Sequence, residues 1–151
     1  MLKLTRRAAP AGTRFAYSDA DNEVLGLVLA AAVRQPLATY LSEKIWQPMG
    51  AEANASWLVD KGGNEVTYCC LNAVLRDYAR LGLLLAHRGN WRGRQIIPPS
   101  WIEDAPPGAP DQGHLAPRVA TPFFGYRYQT RTIPGDRRGV VSRAAFDRRA
   151  S

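Results

Sequence analysis

The imbalance between helices and strands most restricts how this chain can fold. Apolar residues recur at helical spacing over three segments, whereas segments with strand-like alternation are few and short. Several amphipathic helices in one domain normally cover a sheet. The sequence therefore predicts an α/β domain of the α+β type, with helices on an incomplete antiparallel sheet. The predicted helices lie at 22–33, 37–45 and 71–85, and the main strands flank a turn at 61–64 or occupy Phe123–Thr132.

Capping residues set the bounds of these helices. The first helix has the pattern of a buried helix, with Asp19 or Asp21 available to cap it. In the third, Asn72 is the predicted N-cap and Gly89 the predicted C′ residue. Arg76–Asp77 in that helix is interpreted as a solvent-facing scaffold pair. A short apolar strand, a short helix ending at Pro106 and a Pro- and Gly-rich loop at 105–122 are predicted to follow.

The net charge of +7 resides in the two ends of the chain. Residues 1–14 hold four basic and no acidic side chains, and residues 127–151 hold seven arginines and two aspartates. Residues 15–126 hold nine basic and eleven acidic residues. A nucleic-acid site requires a basic face on a folded element with interleaved aromatic residues. Since the body of the chain lacks one, no nucleic-acid partner is predicted.

The cysteines and histidines predict no metal site. Cys69 and Cys70 are adjacent, and a disulfide between neighbours strains the backbone, so they are interpreted as two small buried residues. The only histidines, His87 and His114, are far apart in the sequence, which does not favour zinc.

The sequence predicts neither a membrane span nor a secretion signal. The longest apolar run, 24–33, is shorter than a bilayer-spanning helix. The opening residues "MLKLTRRAAPAG" have a basic start without the apolar segment of a signal peptide. The compartment is left open.

Three segments occur in an order that is typical of one enzyme family. They are "PAGTRFAYSDADNEVLG", "YCCLNAVLRDYARLGLLLAHRGNWRGRQIIPPSWIEDA" and "FFGYRYQT". This order resembles the serine β-lactamase-like hydrolases, which include penicillin-binding proteins, class C β-lactamases, esterases and 6-aminohexanoate-dimer hydrolases. The resemblance runs from about residue 9 to residue 138 and is greatest to the aminohexanoate-dimer hydrolase and esterase branch. It implies a partial β-lactamase/transpeptidase-like domain at 15–135, preceded by a basic segment at 1–14.

The resemblance implies two site residues. Tyr17 falls on the family's catalytic tyrosine, which relays protons between a serine, a lysine and the leaving group. Asp19 stands where many relatives have an asparagine that orients the substrate; an aspartate there accepts from a lysine but cannot donate to a carbonyl. From the residues alone, a tyrosine before a helix, as Tyr17 is, is more often a packing aromatic than a catalyst, and helix capping is an equally good interpretation of Ser18 and Asp19.

Two departures from the family pattern affect the expected activity. The nucleophile and base of the family come from a Ser-x-x-Lys turn, and no serine in this chain has a lysine three residues later. After "GYRYQT" the chain also lacks the family's closing strands, and residues 136–151 form an Arg-rich aberrant tail, interpreted as out-of-frame translation. We therefore expect an incomplete chain that is inactive and poorly stable alone.

The function implied is that of a serine hydrolase acting on small-molecule amides or esters through an acyl-enzyme, with no metal or organic cofactor. Two alternatives remain: a hydrolase completed by another chain, and a non-enzymatic module that binds a partner through exposed apolar surface. The oligomeric state is not predicted.

Overall fold

The computed structural model describes residues 9–104, 110–116, 119–132 and 140–142. Its helices are α1 (Asp19–Val33), α2 (Leu37–Leu41) with a π-helical turn at Ser42–Trp46, α3 (Leu75–Ala86), α4 (Pro99–Asp104) and a 3₁₀ turn at Pro110–Leu115. Its strands form the antiparallel pairs β1 (Ser56–Trp57) with β2 (Leu71–Asn72) and β3 (Asn90–Trp91) with β4 (Arg94–Gln95), and the antiparallel sheet β5 (Gly125–Arg127), β6 (Thr130–Thr132) and β7 (Val140–Ser142). The prediction of an α+β fold with small antiparallel sheets is confirmed.

The described residues divide into two compact units. The first unit joins the described parts of Met1–Tyr17 and Glu103–Ser142, and it contains β5, β6 and β7. The second unit contains Ser18–Ile102, with α1 to α3 and both two-stranded pairs. The second unit has an apolar core, whose most buried side chains are Leu37, Trp46, Met49, Val66, Leu84 and Ile102.

Helix α1 begins earlier than predicted because a serine caps it. Ser18 has extended backbone angles, and its Oγ accepts a hydrogen bond of 3.2 Å from the N–H of Asp21. A serine in this geometry satisfies one of the unpaired donors of the first turn. The cap is therefore Ser18. The prediction that Asp19 or Asp21 caps the helix is wrong.

The prediction that α1 is buried is wrong. Gly26 is its buried residue, whereas five apolar side chains of the helix are between 43% and 60% exposed. A helix with apolar residues on all sides is normally buried. The described residues, however, do not cover these side chains of α1. The exposed side chains are Val24, Leu25, Leu27, Val28 and Leu29.

Two long-range contacts fix the starts of α1 and α2. The N–H of Thr67 donates to Oε2 of Glu23 at 2.9 Å, and the Thr67 hydroxyl lies 2.9 Å from the same oxygen and 3.0 Å from the carbonyl oxygen of Asn22. At α2, Pro36 offers no side-chain cap, and Oε1 of Glu65 instead accepts from the N–H of Ala38 at 2.9 Å. Residues distant in sequence thus hold both helix starts: Thr67 donates to acceptors in the first turn of α1, and Glu65 accepts from a donor of α2.

Helix α3 starts three residues after the predicted cap. Asn72 belongs to β2 and is paired with Ser56, so the prediction that Asn72 caps the helix is wrong. Val74 occupies the N-cap position without a side-chain hydrogen bond. The strand pairing of residues 71–72 takes precedence over the local capping preference.

A Schellman motif ends α3, and its left-handed C′ residue is Arg88 rather than the predicted Gly89. The N–H of Arg88 bonds to the carbonyl oxygen of Leu85 at 3.0 Å, and the N–H of Gly89 to that of Leu84 at 2.8 Å. Arg88 has φ 54° and Gly89 φ 77°. A β-carbon on Gly89 would lie 2.1 Å from the carbonyl oxygen of Ile97, which explains the glycine at this position.

The predicted strand at Phe123–Thr132 is in fact a hairpin. Tyr128 and Gln129 have φ 47° and 58°, which reverses the chain between β5 and β6. Two consecutive residues with positive φ are typical of the tight turns that join antiparallel strands. Tyr126 stabilises the turn through a hydrogen bond from its hydroxyl to Oε1 of Gln129.

The segment after α3 also differs from its prediction. The strand there is not apolar, since it is Arg94–Gln95, which pairs with Asn90–Trp91 across a turn. Arg92 and Gly93 form this turn with φ 50° and 88°. The short helix is confirmed as α4, while its predicted end at Pro106 lies outside the described residues.

Cys69 and Cys70 form a disulfide, so the interpretation as two separate buried cysteines is wrong. Both residues are half-buried. The bridge closes because Cys70 takes φ 73°, in the left-handed region that non-glycine residues rarely adopt. This backbone angle was not apparent from the sequence.

The termini are only partly described. Within the segment predicted as an aberrant tail, Val140–Ser142 forms β7 and pairs with β6. Residues 1–8 and 143–151 lie outside the described residues, as do 133–139, so the predicted boundaries at 14 and 135 stay predictions. No single helix among the described residues is long and apolar enough to cross a membrane; α1 and the segment Leu37–Trp46 reach that length and composition only together, with a bend of 76° between them.

Candidate active site

Tyr17 lies in an aromatic cluster of the first unit. Its ring packs edge-on against Tyr126, with 6.0 Å between the ring centroids and an interplanar angle of 77°. Phe15 packs on the same Tyr126 ring at 5.0 Å. Such tilted and edge-on contacts are the favoured geometries of aromatic pairs. The cluster brings together the first and the last of the sequence segments on which the family resemblance depended.

Tyr126 is the fixed member of this cluster. It lies on β5 and is 8% exposed, and its hydroxyl is engaged by Gln129. Tyr17 is 40% exposed, so its side chain contacts the protein along one part and solvent along another. Tyr17 is thus the partly exposed member of the cluster, beside a buried neighbour.

Arg131 is a residue near the cluster that sequence reasoning did not select. It is the cross-strand partner of Tyr126 on β6, and its guanidinium carbon lies 4.6 Å above the ring of Phe124. Its Nε is a buried donor without a hydrogen-bond partner in the described part of the chain. The register of the hairpin would have pointed to this residue, because it places Arg131 opposite Tyr126.

Asp19 falls in the second unit, although only Ser18 separates it from Tyr17 in the chain. It is exposed in the first turn of α1, where a carboxylate is stabilised by the positive end of the helix dipole. The helix-start interpretation of Ser18 is confirmed by its hydrogen bond. The predicted role of Asp19 in substrate binding stays a prediction.

The most buried carboxylate of the second unit is Asp77. It is 0% exposed, and its two oxygens accept from the N–H groups of Glu52 at 2.9 Å and Ala53 at 3.2 Å. Arg80 donates to the same carboxylate and also to Glu52 Oε2 at 3.1 Å. The interpretation of Arg76–Asp77 as a solvent-facing pair is therefore wrong for Asp77, since its partner is Arg80, one helical turn on.

The pKa of Asp77 reflects opposing effects. Burial acts to raise the pKa of the Asp77 carboxyl, but the N–H groups of Glu52 and Ala53 and the Arg80 guanidinium together hold it below the ordinary 3.8. The carboxylates of Asp77 and Glu52 raise the pKa of Arg80. This network joins the loop at residues 52–53 to α3, and its charges are all used in structural contacts.

Two serines of the described chain are also engaged in structural contacts. Ser18 Oγ caps α1, and Ser42 Oγ accepts from Nε2 of Gln47 at 3.0 Å. A serine nucleophile requires a base within hydrogen-bond reach, and neither of these contacts supplies one. The predicted catalytic role of Tyr17 stays a prediction.

The fold and this cluster define a member of the serine β-lactamase-like hydrolases. Residues 1–142 match the Beta-lactamase family model, and the chain belongs to that family. It is 26% identical over 145 residues to the 6-aminohexanoate-dimer hydrolase of Paenarthrobacter ureafaciens. It is also similar to the solved structure of a proposed 6-aminohexanoate-dimer hydrolase from Bacillus anthracis, with a TM-score of 0.74 and 33% identity. The predicted family is confirmed.

The chain spans about a third of the length of these two relatives. The match covers 92% of this chain and 36% of the P. ureafaciens protein, and 89% of this chain and 34% of the B. anthracis chain. What these relatives do as whole proteins therefore enters only as a proposal for this chain.

Proposed function

We propose that this chain provides the tyrosine-bearing part of a serine hydrolase site that cleaves amide or ester bonds through an acyl-enzyme. The observation that carries the proposal is the packing of Tyr17 against Tyr126, which joins two family-like segments in one unit. Both relatives are described as acting on the 6-aminohexanoate dimer. This favours an amide, and among amides a short linear one, as the substrate.

In this mechanism Tyr17 is the general acid and base. It takes the proton of the serine hydroxyl as the serine attacks the carbonyl carbon, and it returns a proton to the leaving amine. The unperturbed pKa of a phenol is about 10, so a neighbouring positive charge has to stabilise the phenolate. We assign that task to Arg131, a cation of the same sheet that lies across the hairpin from Tyr126. Asp19 orients the substrate or a lysine by accepting hydrogen bonds.

The 151 residues do not hydrolyse substrate by themselves in this proposal. They contain no Ser-x-x-Lys, so the serine and its lysine come from elsewhere in the polypeptide or from another chain. Tyr17 has a nucleophile to deprotonate only when that serine is present.

Labelling with a fluorophosphonate tests whether the chain alone has an activated serine. We expect no covalent adduct in the intact mass of the purified 151-residue protein, because no serine here has a lysine at family spacing. A heat-denatured sample is the control for non-specific reaction. One adduct that forms only in the folded protein would refute the proposed division of the site.

A chimera tests the role of Tyr17 directly. Residues 9–142 replace the matching segment of the B. anthracis relative, and hydrolysis of the 6-aminohexanoate dimer is measured. Tyr17→Phe is expected to lower kcat by about 100-fold or more, since it removes the proton-transfer group. Tyr68→Phe, at another exposed tyrosine, is the matched control and keeps full activity. Equal activity of both variants would exclude Tyr17 from catalysis.

A second candidate function is partner binding, which the exposed apolar side chains of α1 favour. Exposed apolar patches of this kind mark interaction surfaces in soluble proteins. Sedimentation analysis discriminates this candidate: a concentration-independent complex that Val28→Glu dissociates supports it, and a stable monomer argues against it.

A further inference from the structure

The disulfide of Cys69 and Cys70 lies at the end of a loop that surrounds a tryptophan. The loop spans Val66–Cys70, and both of its ends bond to Leu58: Val66 donates to the carbonyl oxygen of Leu58 at 2.9 Å, and the N–H of Leu58 donates to that of Cys70 at 3.1 Å. Inside it, Nε1 of Trp57 donates to the carbonyl oxygens of Val66 at 2.9 Å and Cys69 at 3.0 Å. Four hydrogen bonds therefore depend on where residues 66–70 lie.

The conformation of Cys70 is one that the disulfide helps to hold. At φ 73° the residue lies in the left-handed region, which is unfavourable for a side chain with a β-carbon. The carbonyl group of Cys70 is the acceptor for Leu58, and β2 begins at the next residue. Once the covalent bridge is broken, Cys70 is free to return to negative φ, which turns its carbonyl away from Leu58.

We propose that Cys69 and Cys70 are a reversible dithiol–disulfide site whose reaction partners are dithiol reductants, and that the oxidised form locks the Val66–Cys70 loop around Trp57. Both cysteines are half-buried, so a small reductant reaches them without unfolding of the unit. The loop is also joined to α1 through Thr67 and Glu23. The redox state of the pair thus sets how firmly this part of the second unit is held.

The reaction balances as an ordinary thiol–disulfide exchange. A thiolate of the reductant attacks Sγ of one cysteine, and the bond between the two Sγ atoms breaks to give a mixed disulfide and a cysteine thiolate. The second thiol of the reductant then displaces the other cysteine. The reductant leaves as a cyclic disulfide, two electrons pass to the protein, and each cysteine gains one proton.

Alkylation with iodoacetamide and hydrogen exchange on the 151-residue protein test the proposal. Without reductant we expect no alkylation in the folded protein. With dithiothreitol we expect two alkylated cysteines and a fall of about 10-fold in the exchange protection of the Leu58 amide. Alkylation of both cysteines before reduction, or unchanged protection of Leu58 after it, would overturn the proposal.

Two double variants test whether the disulfide acts through the backbone angle of residue 70. C69A/C70G lacks the bridge, but its glycine adopts φ 73° without the steric penalty of a β-carbon, so we expect Leu58 to stay protected and not to respond to dithiothreitol. C69A/C70A lacks the bridge and disfavours that angle, so it shows the low protection of the reduced protein. If both variants have the same Leu58 protection, the disulfide does not act through the conformation of residue 70. None of these measurements depends on hydrolysis, so the proposed function stands or fails separately.

Discussion

Asp77→Asn is expected to lower the melting temperature by about 10 °C, among the largest effects of any single substitution in the second unit. The wild-type carboxylate is fully buried and uses both oxygens to accept from the N–H groups of Glu52 and Ala53. Asparagine has nearly the same shape, but its side chain has one acceptor oxygen where aspartate has two. Its amide nitrogen would therefore face the N–H group of Glu52 or Ala53, which is also a donor. Arg80 also loses its ionised partner on α3. Thermal unfolding by circular dichroism measures the change.

The matched control for this substitution is Asp104→Asn. Asp104 is exposed at the end of α4, and a surface change of this kind shifts the melting temperature by less than about 2 °C. If the two variants melt together, the buried network does not contribute to stability as its geometry indicates.

The same network predicts the direction of the pH dependence. The pKa of Asp77 lies below its ordinary 3.8 in the folded protein, so its contribution to stability is complete above that value. As pH falls through the lowered pKa, the folded state has to take up a proton and the contribution disappears. Wild type is therefore expected to lose stability more steeply than Asp77→Asn as pH falls below 3.8, and parallel curves would contradict this.

Gly26→Ala is expected to lower the free energy of unfolding by about 2 kcal/mol, although alanine favours helices. A β-carbon at this position would lie 2.2 Å from Oγ1 and 2.3 Å from Cγ2 of Thr67. Thr67 cannot easily move aside, because its N–H and hydroxyl are bonded to Glu23 and Asn22. Urea unfolding measures the effect.

Gly82→Ala is the control for Gly26→Ala. Gly82 lies within α3, and a β-carbon there meets no atom within 4 Å. Its replacement is expected to raise stability by about 0.8 kcal/mol through helix propensity alone. Opposite signs for the two glycines show a steric origin, and a stabilising effect at both positions would contradict the close approach of Thr67 to α1.

The class of fold could be predicted from the sequence because helical periodicity is a local property. Hydrophobic spacing located α1, α2 and α3 within a few residues. The errors occurred where distant residues or positive φ angles decide the structure. Asn72 has a high preference for the N-cap position, but it pairs with Ser56 in a strand. The turn at Tyr128–Gln129 contains no glycine, so the sequence did not indicate its positive φ angles.

The candidate site was predictable only in part. The family resemblance selected Tyr17, and the structure adds the neighbour that holds it, Tyr126, together with Arg131 across the hairpin. Those two residues lie more than a hundred positions away in the sequence, and no spacing rule links them to Tyr17. The disulfide was missed for a similar reason, since it depends on one unusual angle at Cys70.

The two distant contacts at the starts of α1 and α2 have a consequence for the order of folding during synthesis. Glu65 caps α2 across 27 residues, and Thr67 secures the first turns of α1 across 44 residues. A ribosome that has released only the two helices has therefore not yet released the distant residues that stabilise their starts. We expect α1 to be held at its start only by its local Ser18 cap, and α2 to lack its cap, until residue 67 leaves the exit tunnel, after which one short segment secures both helices.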